Sequence, residues 1–180
     1  MGSEMCIRDS NKSAHSTEMV PECADPAVIF MPEGSTTHMG GTMRLGARRT
    51  FFQTQDCKAA KLYNSPPFVD ERHRHRYEVN PDMVDKLEAA GCVFVGKDET
   101  NRRMEILELE SHPFFLATQY HPEYKSRPGR PSPPFMGLIL AASGQLDRYI
   151  TTEAIEMRIN APGGFIQSPL KALKRLNNTM

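Results

Sequence analysis

A histidine followed two residues later by a glutamate is the most pointed catalytic signal in this 180-residue sequence. The motif, Gln-Tyr-His-Pro-Glu at 119–123, ends the apolar run 114–120, which predicts a buried strand. Because Pro122 disfavours helical backbone at the residue before it, His121 is predicted to project from the strand end into a loop. Glu123 could then hold one imidazole tautomer, as the base half of a nucleophilic triad requires. Most His-x-Glu triplets have no such role.

The stretch 71–79 (Glu-Arg-His-Arg-His-Arg-Tyr-Glu-Val) is the second set of chemically active side chains. In a strand, side chains alternate between faces, so Arg72, Arg74 and Arg76 would lie on one face. His73, His75 and Tyr77 would lie on the opposite face. This pattern suits an anion or an amino-acid ligand. As a metal site it lacks an obvious third ligand, and no metal site is predicted. From spacing alone, a solvated edge strand paired with acids is favoured.

Weaker signals come from the glycines and cysteines. The stretch 40–46 (Gly-Gly-Thr-Met-Arg-Leu-Gly) lacks the residue order of a phosphate-binding loop and by itself predicts a tight turn. The cysteines lie far apart with no Cys-x-x-Cys pair: Cys6, Cys23, Cys57 and Cys92. That spacing favours free thiols in a reducing compartment over a disulfide framework or a zinc knuckle.

The overall charge argues against two classes of partner. Lysine plus arginine and aspartate plus glutamate each total 22, so the chain has no net charge to attract nucleic acid or an anionic membrane. Apolar runs such as 135–142 are far shorter than the roughly 20 residues that span a bilayer. The N-terminal residues do not have the pattern of a secretory signal.

The order of local signals predicts a mixed α/β chain. Strands are expected at 27–31, 50–53, 92–96, 104–109 and 114–120. Asn80-Pro81-Asp82 has the order of cap, first-turn proline and acid that begins a helix, and Gly91 ends it. A second helix is predicted over 135–149, with one apolar face: Leu138, Ala141, Ala142 and Leu146.

Four blocks, taken together and in order, resemble the CTP synthase family. They are 14–18 (Ala-His-Ser-Thr-Glu), 39–46, 71–80 and 119–124, and the proline-rich segment 126–134 resembles eukaryotic members. Each block is short, but the joint pattern over residues 14–149 is specific. The resemblance implies the later strands and C-terminal helices of a class I glutamine amidotransferase domain with a flavodoxin-like α/β fold. Residues 1–13 are then an unstructured leader, which need not be native, and 150–180 a variable, poorly ordered tail.

The resemblance also implies site residues and an activity. His121 would be the general base and Glu123 its orienting carboxylate; Glu18, Arg76 and Tyr77 would bind glutamine. A lid that responds to GTP would include Gly41, Thr42 and Arg44. The family makes CTP from UTP with ATP, Mg²⁺ and ammonia from glutamine, using a Cys-His-Glu triad. ATP, Mg²⁺ and the activator GTP are expected in the intact enzyme, and no cofactor in this part.

The family's nucleophile lies in a Gly-x-Cys-x-Gly elbow upstream of the glutamate matched by Glu18, at a position before Met1. Cys6 has no such glycines and is not expected to be the nucleophile. The sequence therefore predicts part of a cytoplasmic, glutamine-hydrolysing ligase, inactive alone, whose partners are its synthase domain and its own copies in a tetramer or filament. The alternative is a non-catalytic binding or assembly module. An RNA-binding segment is disfavoured by the charge balance.

Overall fold

The computed structural model describes residues 13–32 and 43–160. Its strands are β1 Ala14–Ser16, β2 Asp25–Phe30, β3 Arg44–Phe52, β4 Phe68–His75, β5 Tyr77–Val79, β6 Cys92–Lys97, β7 Met104–Leu109 and β8 Leu116–Thr118. Its α-helices are α1 Lys58–Leu62, α2 Val84–Ala89, α3 Pro133–Ala142, α4 Leu146–Tyr149 and α5 Thr152–Ile159. Short 3₁₀ turns occupy Pro81–Met83 and Pro122–Lys125. The predicted sites Gly41 and Thr42, and the thiol of Cys6, lie outside these described residues.

The smaller sheet has the strand order β1-β2-β5. β1 and β2 are parallel, whereas β2 and β5 are antiparallel with Phe30 opposite Tyr77. The predicted strand at 27–31 is thus confirmed as β2, which begins two residues earlier. Within 13–32 and 43–160, β1–β2 is the one parallel pair.

The larger sheet is antiparallel, in the order β4-β3-β6-β7-β8. β4 has the predicted alternation, because Arg72 and Arg74 are exposed whereas His73 is fully buried. β6 and β7 are joined by a polar turn. There the Asp98 carboxylate accepts hydrogen bonds from the backbone N–H groups of Thr100, Arg102 and Arg103.

This five-stranded sheet curls until its two ends meet. Beyond β8, the backbone N–H of Gln119 donates to the backbone carbonyl of Glu105 at 2.9 Å, which extends the pairing with β7. Two residues later the His121 amide donates to the Arg72 carbonyl of β4 at 2.8 Å. This bond joins the two ends of the sheet, which therefore has the form of a small, partly closed barrel. Polar side chains are buried against it: Thr50, Glu71, His73 and Glu105.

Helix α2 begins and ends as the sequence predicts. The Asn80 side chain accepts from the backbone N–H of Asp82 and caps the 3₁₀ turn that leads into α2, and Gly91 follows the helix in the left-handed region at φ 92°. Met83 and Leu87 are buried in an apolar cluster with Cys92, Phe94 and Met104 of β6 and β7.

The prediction for 135–149 is wrong in two respects. The segment forms two helices, because Gly144 at φ 68° turns the chain between α3 and α4. The buried side of α3 contains Gly137 and Leu140, whereas Leu138 is 56% exposed. A Cβ at position 137 would lie 2.5 Å from Leu62 Cδ1, so the absence of a side chain allows α3 to pack closely on α1. Leu140 contributes to a cluster with Leu62, Leu146 and Tyr149.

Helix α5 lies in the segment that the sequence analysis assigned to the tail. Its Arg158 donates hydrogen bonds to the Asn64 side chain and the Tyr149 carbonyl, both at 2.6 Å, so α5 is joined to the domain. Among the described helices, none is long and apolar enough to cross a membrane.

Candidate functional site

His121 and Glu123 form the hydrogen-bonded pair that the sequence predicts. The distance from His121 Nδ1 to Glu123 Oε1 is 2.7 Å, and the side chains are 38% and 55% exposed. Because the carboxylate can only accept from the ring, Nδ1 carries the proton and Nε2 presents its lone pair outward. The backbone N–H of Glu123 and the hydrogen bond from His121 lower the pKa of the Glu123 carboxyl. A base oriented in this way can accept a proton at Nε2.

The closure of the barrel positions His121. Its backbone N–H donates to the Arg72 carbonyl of β4. The 3₁₀ turn beginning at Pro122 brings the Glu123 carboxylate to Nδ1 of the ring. The Tyr124 ring packs edge-on against the imidazole with centroids 5.6 Å apart. The Arg72 guanidinium lies over the ring of the same tyrosine, 4.9 Å from the ring centroid.

A cavity of about 630 Å³ brings together the three residues predicted to bind glutamine. Glu18 follows β1, Tyr77 begins β5, and Arg76 lies between β4 and β5. The Tyr77 carbonyl accepts from Gln119 Nε2 at 3.2 Å, and the Tyr77 ring meets Phe30 edge-on at 5.4 Å. A carboxylate and a guanidinium on one cavity suit the ammonium and carboxylate groups of an amino acid.

The predicted catalytic pair and the predicted lid residue Arg44 do not line this cavity. His121 and Glu123 are not among the residues that line this cavity; Gln119, two residues earlier, is. Arg44, predicted in the lid, begins β3, and its guanidinium lies 3.0 Å from Glu105 in a buried ion pair. Its role in a lid stays a prediction.

The described thiols differ in exposure: Cys23 is half-buried, whereas Cys57 and Cys92 are buried. Cys57 caps α1 by accepting from the Ala60 amide, and burial raises its thiol pKa to about 11. A thiol with a raised pKa is a poor nucleophile at neutral pH, so Cys57 is structural. Cys92 lines the cavity but is only 1% exposed.

Sequence reasoning missed two polar residues of this region, Glu105 and Gln119. Both line the cavity. The signal for Glu105 was present, because a carboxylate between Met104 and Ile106 in an apolar strand needs a partner. Gln119 gave no signal of its own apart from its place in the His121 motif.

A model of the family "Glutamine amidotransferase class-I" matches residues 14–141. The chain belongs to this family. The fold class predicted from the sequence, a class I glutamine amidotransferase domain, is thereby confirmed.

Individual relatives are CTP synthases. CTP synthase 2 of Xenopus laevis is 56% identical over 137 residues, which cover 76% of this chain and 24% of the relative. CTP synthase 2 of Homo sapiens is 52% identical over 139 residues, or 77% of this chain and 24% of the relative. The chain therefore spans about a quarter of the length of these relatives.

A solved structure agrees with the sequence relatives. The glutaminase domain of the Trypanosoma brucei CTP synthase, determined with bound acivicin, is 33% identical to this amidotransferase chain. It superposes with a TM-score of 0.72 and covers 78% of this chain and 55% of that one. The resemblance to CTP synthase is thus supported by both sequence and fold.

Proposed function

We propose that this amidotransferase chain supplies the base and the glutamine pocket of a glutaminase domain in a CTP-synthesising enzyme. The observation that carries the proposal is the hydrogen bond of 2.7 Å between His121 and Glu123. The cavity lined by Glu18, Arg76 and Tyr77 supports glutamine as the substrate.

In the proposed reaction His121 takes the proton of a cysteine thiol, and the thiolate attacks the side-chain amide carbon of glutamine. His121 donates a proton to the leaving nitrogen, so that ammonia departs and a thioester remains. His121 then takes a proton from water as the water attacks the thioester, which releases glutamate and restores the thiol. Glu123 stabilises the imidazolium that is present before ammonia departs and again after water has been deprotonated.

None of the four cysteines in this sequence has the flanking glycines of a Gly-x-Cys-x-Gly elbow, so none of them is assigned as the source of the thiolate. We therefore expect the isolated chain to release no glutamate from glutamine. ATP, Mg²⁺ and the activator GTP are assigned to the intact enzyme together with a synthase domain. We place the enzyme in the cytoplasm.

A chimera tests this proposal. Residues 14–150 would replace the matching segment of Xenopus laevis CTP synthase 2, which keeps its own upstream sequence. The chimera should hydrolyse glutamine, and the chimera with His121→Ala should not. CTP formation from added ammonia should be equal in both, since that reaction needs no glutaminase. His112→Ala, at an exposed histidine, is the matched control.

Glutamine hydrolysis at an undiminished rate in the His121→Ala chimera would refute the assignment of the base. In the isolated chain, glutamate release that is lost with His121→Ala would show that one of its own cysteines completes the triad. Each cysteine would then be replaced in turn.

A second function is favoured by the surface of α3. Phe135, Leu138 and Ile139 are 41%, 56% and 63% exposed and lie on one short helix. Exposed apolar side chains of this kind mark contact surfaces. The chain would then be a non-catalytic binding or assembly module. Light scattering on the purified chain distinguishes this function, since Leu138→Glu should reduce any self-association.

A further inference from the structure

Two histidines and a glutamate meet inside the barrel, apart from the His121 pair. His73 and His75 come from β4, and Glu105 comes from β7. Nδ1 of His73 lies 3.1 Å from Nε2 of His75 and 3.5 Å from Oε2 of Glu105. One donor atom from each residue can be chosen so that all three lie within 4.8 Å of one another. Glu105 is thus the third ligand that the sequence analysis did not find.

The hydrogen bond at the far side of His75 fixes which nitrogen is available. Its Nδ1 lies 3.0 Å from the Tyr77 carbonyl oxygen, which can only accept, so Nδ1 carries the proton. Nε2 therefore presents a lone pair to the cluster. Metal-binding histidines are typically oriented by such a bond from the second ring nitrogen to a backbone carbonyl.

The Glu105 side chain is completely buried, and only one of its oxygens has a hydrogen-bond partner among the described residues. Oε1 accepts from Arg44 Nη2 at 3.0 Å, whereas Oε2 has no hydrogen-bond partner among the described residues. In the 3.1 Å contact His73 Nδ1–H donates to His75 Nε2, so an ion bound at His73 Nδ1 would move that proton to Nε2, which is buried without a described hydrogen-bond partner. Buried polar atoms in native structures are rarely left in this state, so the unpartnered carboxylate oxygen points to a missing ligand.

The spacing of these atoms fits a metal ion. A tetrahedral ion with bonds of about 2.0–2.1 Å holds its ligand atoms roughly 3.3–3.4 Å apart. Two of the three separations, 3.1 and 3.5 Å, lie on either side of that value, and the third is within 4.8 Å. We propose that His73, His75 and Glu105 bind one divalent transition-metal ion of the Zn²⁺ class. Two imidazoles and one carboxylate suit Zn²⁺ and its neighbours better than Mg²⁺ or Ca²⁺, which prefer oxygen ligands.

The cavity gives the ion a way in and an open coordination position. His75 and Glu105 both line the cavity of about 630 Å³ that also holds Arg76 and Tyr77. A three-ligand site open on one side leaves a fourth position for water or for a group of a bound molecule.

Local charges have opposing effects on the affinity. Burial lowers the pKa of His73 to about 3 and of His75 to about 4, so neither ring takes up a second proton at neutral pH. The Arg44 guanidinium, however, shares the only carboxylate of the set. An ion in this site is therefore held more weakly than in one without an adjacent cation.

The test uses the full purified chain, freed of metal with EDTA and then titrated with Co²⁺ and Zn²⁺. Co²⁺ should give the intense visible absorption of a four-coordinate site at one equivalent, and Zn²⁺ should displace it. His75→Gln and Glu105→Gln should each raise the dissociation constant at least about 100-fold, since even second-shell changes cost 10–100-fold. His112→Gln is the matched control and should bind as the unmodified chain does.

Absence of one-equivalent binding to the folded chain would overturn the site, and so would binding that is unchanged in both variants. Binding lost only in His121→Ala would place the metal at the surface pair and also overturn it. Circular dichroism identifies a variant that fails to fold. In that case the histidine-ring NMR signals of the unmodified chain decide: Zn²⁺ must shift those of His73 and His75 and leave those of His112 in place.

Discussion

The surface pair and the barrel cluster contain the same residue types in opposite environments. His121 and Glu123 are 2.7 Å apart and partly exposed, whereas His73 and Glu105 are fully buried. At the surface, the backbone N–H of Glu123 and the nearby imidazole lower the pKa of the carboxyl. In the barrel, burial raises the pKa of Glu105 to about 7, despite the Arg44 guanidinium beside it.

The difference indicates two kinds of function. An exposed histidine with an outward nitrogen is placed to exchange protons with a substrate, whereas a buried neutral histidine offers a lone pair to a ligand or a hydrogen bond to the fold. We therefore expect substitutions at the surface pair to change turnover and substitutions in the cluster to change stability. The following predictions test that division.

The largest effect is expected for catalysis. In the chimera, His121→Ala should lower kcat/KM for glutamine by on the order of 10³–10⁴-fold, since it removes the general base. The same change should alter the free energy of unfolding by less than about 0.5 kcal/mol, as is usual for exposed positions. Glutamate release and thermal unfolding measure the two quantities. A loss of stability comparable to the loss of activity would contradict the division.

The next effect is on stability. Glu105→Ala should destabilise the chain by about 3–5 kcal/mol, because it leaves the Arg44 guanidinium buried without its partner. Asp70→Ala removes the carboxylate from the exposed Arg49 pair and should cost less than about 1 kcal/mol. Urea unfolding of both variants measures the difference. Equal losses would mean that the interior is as well solvated as the surface.

Thiols extend the comparison to a third residue type. With the Cys57 pKa at about 11, its thiolate fraction at pH 8 is roughly one hundredth of that of a thiol at the ordinary value of 9.0. Iodoacetamide should therefore alkylate Cys57 about 100-fold more slowly than an ordinary thiol, and the rate should rise with pH towards 11. Mass spectrometry follows the reaction, with the half-buried Cys23 as internal comparison.

The smallest effect concerns packing outside the barrel. Gly137→Ala places a methyl group 2.5 Å from Leu62 Cδ1 and 2.7 Å from Phe114 Cζ, which should cost about 1–3 kcal/mol. Because α3 contributes no residue to either histidine set, metal binding by the folded variant should be unchanged. A weakened metal affinity would show that the packing of α3 affects the cluster of His73, His75 and Glu105.

Much of the local structure could be predicted from the sequence. The Asn80 cap, the Gly91 stop, the Asp98 turn and the alternation of β4 all follow from residue types at short range. The His121–Glu123 contact was predicted for the same reason, because the two residues are only two positions apart. The blocks that carry the family resemblance also lie within short stretches.

The long-range parts could not be predicted in this way. Nothing near Glu105 indicates that β7 curls round to face β4, since that contact depends on the closure of a five-stranded sheet. The exposed side of α3 was mistaken for the buried one because its apolar residues surround the helix, and the close approach to Leu62 at Gly137 decides which side packs. In both cases tertiary contacts override a local pattern.

One continuous stretch, 72–79, serves both sheets: β4 ends at His75 in the barrel, and β5 begins at Tyr77 in the three-stranded sheet. Side chains in strands alternate between faces, so one added or deleted residue here would turn His73 or Tyr77 to the opposite face. The number of residues in this stretch is therefore as constrained as their identity. By contrast, the exposed loop at 127–130 is the place where insertions should be tolerated.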